Sequence, residues 1–316
     1  MSTQGRRASR ICVSLRVVPT RAFADELAAR VAERESQIVL GLDPDPQRLW
    51  PVARSALEGE GDVAQRTARA VLAHCRAAID AVAGACVAVK PQLACFERLG
   101  GPGIAALHEV VAAGRAAGLL VLADGKRGDV PVSAAAYAQA LAGSTPGPLG
   151  EIEGLGVDAF TANPLLGVDA LAPLIATGAG VFVLVRTSNP GASDIQDLEL
   201  AAGGPLWERL ARLVDELGQP RACGLSDVGA VIGATVPEHL ARARELMPHA
   251  AFLLPGVGAQ GGRVGDLEPA FAPGRAGGLI SASRGIVEAY AANDRRPAEA
   301  ARAEAERLRE LAWALA

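Results

Sequence analysis

Lysine is almost missing from this chain. Only two of its 31 basic side chains, Lys90 and Lys126, are lysine, and the rest are arginine. A guanidinium keeps its proton in proteins, whereas a lysine ammonium can give one up and responds to its neighbours. A chain so biased keeps lysine either by chance or where a guanidinium cannot serve, and the rest of the sequence decides between them. Aromatic residues are also scarce, at 3%, and the formal net charge is -4 with a pI near 5.7. These absences exclude a basic surface interleaved with stacking rings, so no nucleic-acid partner is expected. The cysteines, Cys12, Cys75, Cys86, Cys95 and Cys223, form no CxxC pair, and their odd count argues against a disulfide framework and suits a reducing cytoplasm. His74, His108, His239 and His249 show no HExxH or other metal-ligand spacing and read as packing or surface residues. No apolar run approaches the roughly 18 residues that a membrane span requires.

What is present is a regular alternation. Short β-branched or leucine-rich runs at 38–43, 86–92, 119–126, 157–164, 180–188, 229–235, 251–258 and 278–285 are separated by alanine-rich segments of helical period. Eight such units in about 250 residues predict a single (β/α)8 barrel, and "PAEAARAEAERLRELAWALA" predicts a terminal amphipathic helix. The first twenty residues carry Arg6, Arg7, Arg10 and Arg16 with no acid, imitating a targeting peptide. They are expected to be a disordered extension, with the barrel domain spanning 21–316. Two connections are long for a barrel, 44–61 and 189–205, and the second has the composition of a flap over a site.

Catalytic side chains of such barrels come from the C-terminal ends of strands. The polar residues of this chain collect there: Asp43, Lys90, Asp124 and Lys126, Asn163, and Thr187 with Ser188. After the seventh and eighth strands come "GVGAQGG" and "SASRG", glycine-rich turns of the kind that lets backbone N–H groups approach a phosphate, with Gln260 and Arg284 as further donors. Alternation along an extended strand sends Asp124 and Lys126 to the same side, where the lysine stays charged beside carboxylates and can donate a proton to a nascent carbanion.

As a set, "GLDP", "VAVKPQLACFE", "DGKRGD", "TANPLLG", "VRTSNPGA", "PGVGAQGG" and "SASRGI" resemble orotidine 5'-phosphate decarboxylase in its longer bacterial subgroup, in order from about Gln37 to Tyr290. The resemblance implies decarboxylation of orotidine 5'-monophosphate to UMP without metal or organic cofactor, in a cytoplasmic homodimer. It implies Lys126 as proton donor to C6 of the pyrimidine, Asp124 against the substrate carboxylate, and Lys90 holding Asp124 and reaching the ribose. Asp129 would act in the partner's site. Asp43 would bind ribose hydroxyls, Ser188 the pyrimidine edge, and Gln260 and Arg284 the phosphate, with Ser133, Asn163, Gly261 and Ser283 completing the substrate site.

The sequence departs from that family at Pro131 and Ser133, where small residues and a threonine are usual, and at Leu165, where an aromatic commonly follows the proline. Two alternatives stand beside this reading. A magnesium-dependent sugar-phosphate lyase shares Asp-x-Lys-x-x-Asp but resembles its relatives in carrying an acid where this chain has Lys90. A non-catalytic phosphate-ligand barrel predicts loss of a charged member, and all four are kept.

Overall fold

The structure, a computed structural model, describes residues 22–258, 261–292 and 295–316. The extension expected at 1–20 and the proposed phosphate ligand Gln260 lie outside the described residues. Ten strands are present: β1 Ile38–Leu42, β2 Ala88–Pro91, β3 Leu120–Arg127, β4 Ser144–Gly147, β5 Gly150–Glu153, β6 Ala159–Ala162, β7 Gly180–Arg186, β8 Ser226–Ile232, β9 Ala250–Pro255 and β10 Gly278–Ala282. Eight of them close a parallel barrel in the order β1-β10-β9-β8-β7-β6-β3-β2, while β4 and β5 form a separate antiparallel hairpin. The barrel follows the predicted alternation of runs. The hairpin, written "STPGPLGEIE", is not among the eight predicted runs.

Local chemistry explains the helices. Val63–Val82 opens on a capping box, with Asp62 accepting from the Gln65 amide and the Gln65 side chain accepting from the Asp62 amide. Pro131, Pro237 and Pro297 each start a helix at a position where the missing N–H costs nothing. The β9–β10 connection departs from the repeat: Val264–Asp266, Glu268–Phe271 and Arg275–Gly277 are short 3-10 turns instead of a helix. Among the described residues no helix is long and apolar enough to cross a membrane.

Two apolar layers result. The outer one packs the helices on the sheet. The inner one fills the barrel with Val39, Val87, Leu120, Leu122, Phe182, Val231, Leu253 and Leu279. An N-terminal helix, Phe23–Arg34, closes the lower end: Phe23 meets Phe182 edge-on at 6.0 Å, and Leu27 and Val31 join the inner cluster. Arg34 then rivets that end by donating to the carbonyls of Ala83, Cys86, Ala117 and Gly118.

The long 44–61 connection is held by Trp50. Its amide donates to His74 Nδ1 at 3.1 Å, its indole N–H donates to the Val287 carbonyl at 3.0 Å, and the His74 ring packs against it. His74 is thus a packing residue that must stay neutral to accept, and burial depresses its pKa to about 4. With the folded value below the ordinary 6.5, its contribution to stability is complete above pH 6.5 and is lost as pH falls towards 4. His74→Asn, which keeps an acceptor but cannot titrate there, is expected to remove about 2 kcal/mol of the stability loss between pH 7 and pH 4.5 in urea titrations. An unchanged pH dependence in the variant would rule His74 out as its source.

Candidate active site

The inner face of β3 reads Leu120, Leu122, Asp124, and that of β2 reads Ala88, Lys90, so the pleat that fills the barrel with apolar groups ends at its mouth with charged ones. Asp124 is buried and lies between the two lysines. Lys90 Nζ is 2.6 Å from its Oδ2, and Lys126 Nζ is 2.5 Å from its Oδ1. Lys90 is buried with a side-chain exposure of 8%, whereas Lys126 is 40% exposed and faces the opening.

A third donor, which the sequence reading missed, comes from β6. Thr161 Oγ1 donates to Asp124 Oδ1 at 2.9 Å and accepts from the backbone N–H of Lys126, also at 2.9 Å. The signal lay in the alternation Ala159, Thr161, Asn163, which puts a hydroxyl on the inner face one step before the strand end.

Simple alternation is not what joins Asp124 to Lys126. Lys126 has φ +46, in the left-handed region, and the β3–β6 register shifts between Ala123 and Arg127. A β-branched or bulky residue in that region is strained. The shift re-aims the lysine back over Asp124. Beyond it Gly128 passes so close to β6 that a Cβ there would stand 2.8 Å from the Asn163 carbonyl oxygen.

Electrostatics follow the geometry. Burial opposes ionisation of Asp124, but the Lys90 and Lys126 ammoniums and their hydrogen bonds outweigh it and hold the carboxyl at about 2. Burial also works against the Lys90 charge. The carboxylates of Asp124 and Asp43 reverse that, raising its pKa above the ordinary value.

The remaining sequence candidates fall in several places around the strand ends. Asp43, Ser283 and Arg284 border one pocket with Asp45, Arg48 and Glu288. Gly41 has to be glycine, since a Cβ would lie 2.7 Å from that of Ser283. Ser188 packs over Gly233 at the end of β8, and the Asn163 side chain accepts from the Leu165 amide at 3.0 Å. Gly261 donates its N–H to the Gly258 carbonyl, while Gly262 and Gly258 bond to Gly256 and Gly262, so these three amides close the turn. Ser133 is the third residue of the helix Pro131–Ala142. Asp129 stands apart: its carboxylate accepts from the Val130 amide at 2.7 Å, and among the described residues no ion pair joins it to Lys126. The 189–205 segment folds into two short helical turns latched to the strand end, with Arg186 paired to Asp197 at 2.8 Å and the Thr187 amide donating to Gln196. No cluster of three or more His, Cys, Asp or Glu side chains suited to a metal occurs among the described residues.

Fold and site together define a (β/α)8-barrel enzyme in which two ammonium groups share one buried carboxylate beside the mouth, an arrangement suited to stabilising and protonating a carbanion. The comparisons give the family. Residues 36–303 match the model of the orotidine 5'-phosphate decarboxylase / HUMPS family. The chain is 42% identical over 275 residues to orotidine 5'-phosphate decarboxylase of Rhodopirellula baltica, covering 85% of this chain and 89% of the relative. It is 43% identical over 268 residues to that of Haloarcula marismortui, covering 84% and 86%. The solved OMP decarboxylase of Leishmania donovani superposes with a TM-score of 0.67 at 31% identity, over 92% of this chain and 99% of that one. The chain belongs to the orotidine 5'-phosphate decarboxylase / HUMPS family.

The two lysines are held differently, and stability should register it. Asp124→Asn strands the Lys90 ammonium in a buried site and is expected to cost about 3–5 kcal/mol. Lys126→Met removes a partly exposed partner and should cost less than about 1 kcal/mol. Urea unfolding of both variants makes the comparison; equal losses would contradict the asymmetry.

Proposed function

We propose that this chain is a carboxy-lyase that decarboxylates orotidine 5'-monophosphate to UMP, the last step of de novo pyrimidine nucleotide synthesis, and that it works in the cytoplasm. The Lys90–Asp124–Lys126 array, with Lys90 and Asp124 buried and Lys126 at the opening, carries the reading. Breaking the bond between C6 and the carboxylate releases carbon dioxide and leaves an electron pair on C6. No ring system of the protein delocalises it, so fixed positive charge and a proton must be at hand. Lys126 provides both: its ammonium faces the opening, and transfer of its proton to C6 forms the C–H bond of UMP. The neutral amine left behind regains a proton from solvent.

The other roles are part of the same proposal. Asp124 fixes Lys126 and sets its charge against that of the leaving carboxylate. Lys90 holds Asp124 and, with Asp43, reaches the ribose. Arg284 binds the phosphate together with Gln260 and Ser283, the N–H of the expected ligand Gly261 being taken by the Gly258 carbonyl, and Ser188, Asn163 and Ser133 line the rest of the substrate. Phosphate binding far from C6 supplies energy for closing the 189–205 segment. The sugar-phosphate lyase alternative is disfavoured by Lys90, which occupies the place of its expected acid and is tied to Asp124. The non-catalytic barrel is disfavoured because every charged member is retained.

We further propose a homodimer in which Asp129 enters the partner's site. Val130, Val132, Leu165, Leu166 and Val168 are exposed beside Asp129, an apolar patch around the mouth that suits a second copy. Leu165, the family departure, lies on that patch.

Two measurements test this. Loss of orotidine 5'-monophosphate absorbance in excess EDTA should be rapid with wild type and at least about 10³-fold slower with Lys126→Arg, which keeps charge but not a transferable proton. No decay with wild type, alongside magnesium-dependent turnover of a sugar phosphate, would favour the lyase. For the shared site, Lys126→Ala and Asp129→Asn chains, each nearly inactive, should recover about a quarter of wild-type activity when mixed in equal amounts after exchange, because half the sites of each mixed dimer are intact. No recovery would argue that each site is complete within one chain.

A further inference from the structure

The donor list at Asp124 contains a constraint on a single hydrogen atom. The hydroxyl of Thr161 has one proton. Its oxygen already accepts from the Lys126 backbone N–H at 2.9 Å, a bond whose hydrogen belongs to the amide. The hydroxyl proton is therefore the one directed at Asp124 Oδ1, also at 2.9 Å. Asp124 then receives three donors, Lys90 on Oδ2 and both Lys126 and Thr161 on Oδ1, which leaves the carboxylate in the acceptor role alone. The same hydroxyl holds the amide of a residue with φ +46, at the point where the β3–β6 register shifts. Thr161 is itself buried on the inner face of β6.

We infer that Thr161 is a positioning residue for the decarboxylation: by bridging the Lys126 amide and the Asp124 carboxylate it fixes the Lys126 ammonium at the reacting carbon. The inference rests on the reaction proposed above. The Thr161 hydroxyl is spent on the Lys126 amide and Asp124. It acts by holding Lys126 in a conformation the backbone would otherwise leave, and misplacing a catalytic group by about 1 Å can cost on the order of 100-fold in rate.

The test separates positioning from packing. Thr161→Val keeps the shape and removes the hydroxyl. It is expected to lower kcat by about 10- to 100-fold while the KM and the Kd for UMP change by less than about 3-fold, since UMP makes no demand on the aim of Lys126. Thr161→Ser, which restores the bridge, should return kcat to within about 3-fold of wild type. Hydrogen exchange of the Lys126 amide gives a second readout that needs no turnover: protected in wild type and Ser, fast in Val. Were Thr161→Val insoluble, Thr161→Ala removes the same hydroxyl and is read the same way. A Val chain with wild-type kcat and a protected amide overturns the inference, as does a Ser chain no better than Val, or a parallel loss of UMP affinity and kcat. If wild type fails to consume orotidine 5'-monophosphate, the proposed reaction fails, while amide exchange still decides whether Thr161 holds Lys126.

Discussion

A carboxylate sealed at the mouth of a barrel, as Asp124 is, stays charged only if each water it loses is replaced by a donor. Lys90, Lys126 and Thr161 are those replacements, brought by three neighbouring strands of one closed sheet. The geometry of the rest of the mouth answers to them. The register shift beside Lys126, the close pass of Gly128 under Asn163, and the left-handed turn of the lysine all serve to bring its ammonium back over a group two residues earlier in the chain. A regular strand would have carried it along the barrel wall.

The floor beneath the array matters as much as the array. Leu120, Leu122, Phe182, Leu253 and Leu279 fill the barrel below Asp124, and Phe23 and Leu27 stop its lower end. Apolar side chains close the array off from that side. Charge–charge interactions at the mouth therefore operate in a medium less screening than water, which strengthens them and makes any unpaired member costly. A packed interior and a polar rim are two parts of one device. The core sets the dielectric, and the strand ends set the charges.

Much of this was legible before any coordinates. Eight runs of β-branched and leucine residues marked the barrel, and the rarity of lysine pointed at Lys90 and Lys126. The misreadings have particular causes. The eighth-barrel pattern placed one strand at 229–235, yet β8 is Ser226–Ile232. Its opening residues look like loop because Ser226 and Asp227 are polar, and the fold buries them by bonding Asp227 to the Ala24 amide and to Arg221. The hairpin β4–β5 hid behind proline and glycine. Thr161 hid for a different reason: a threonine in a strand is ordinary, and its two bonds, to Lys126 and Asp124 some 35 and 37 residues away in the chain, exist only once β3 and β6 lie side by side. Asp129 was readable as a motif member, but within one folded chain its carboxylate accepts from the Val130 amide and, among the described residues, forms no ion pair with Lys126.

The near absence of lysine has a practical side as well. An amine-directed reagent meets, apart from the chain's own amino terminus, two primary amines in the whole molecule, one 8% exposed and the other 40% exposed. Among the lysines, acylation or reductive methylation is thereby directed to Lys126, with the chain's α-amine as the competing site. The mouth thus carries one accessible side-chain amine, through which occupancy, charge state and access could be followed by mass or by isotope label on one atom.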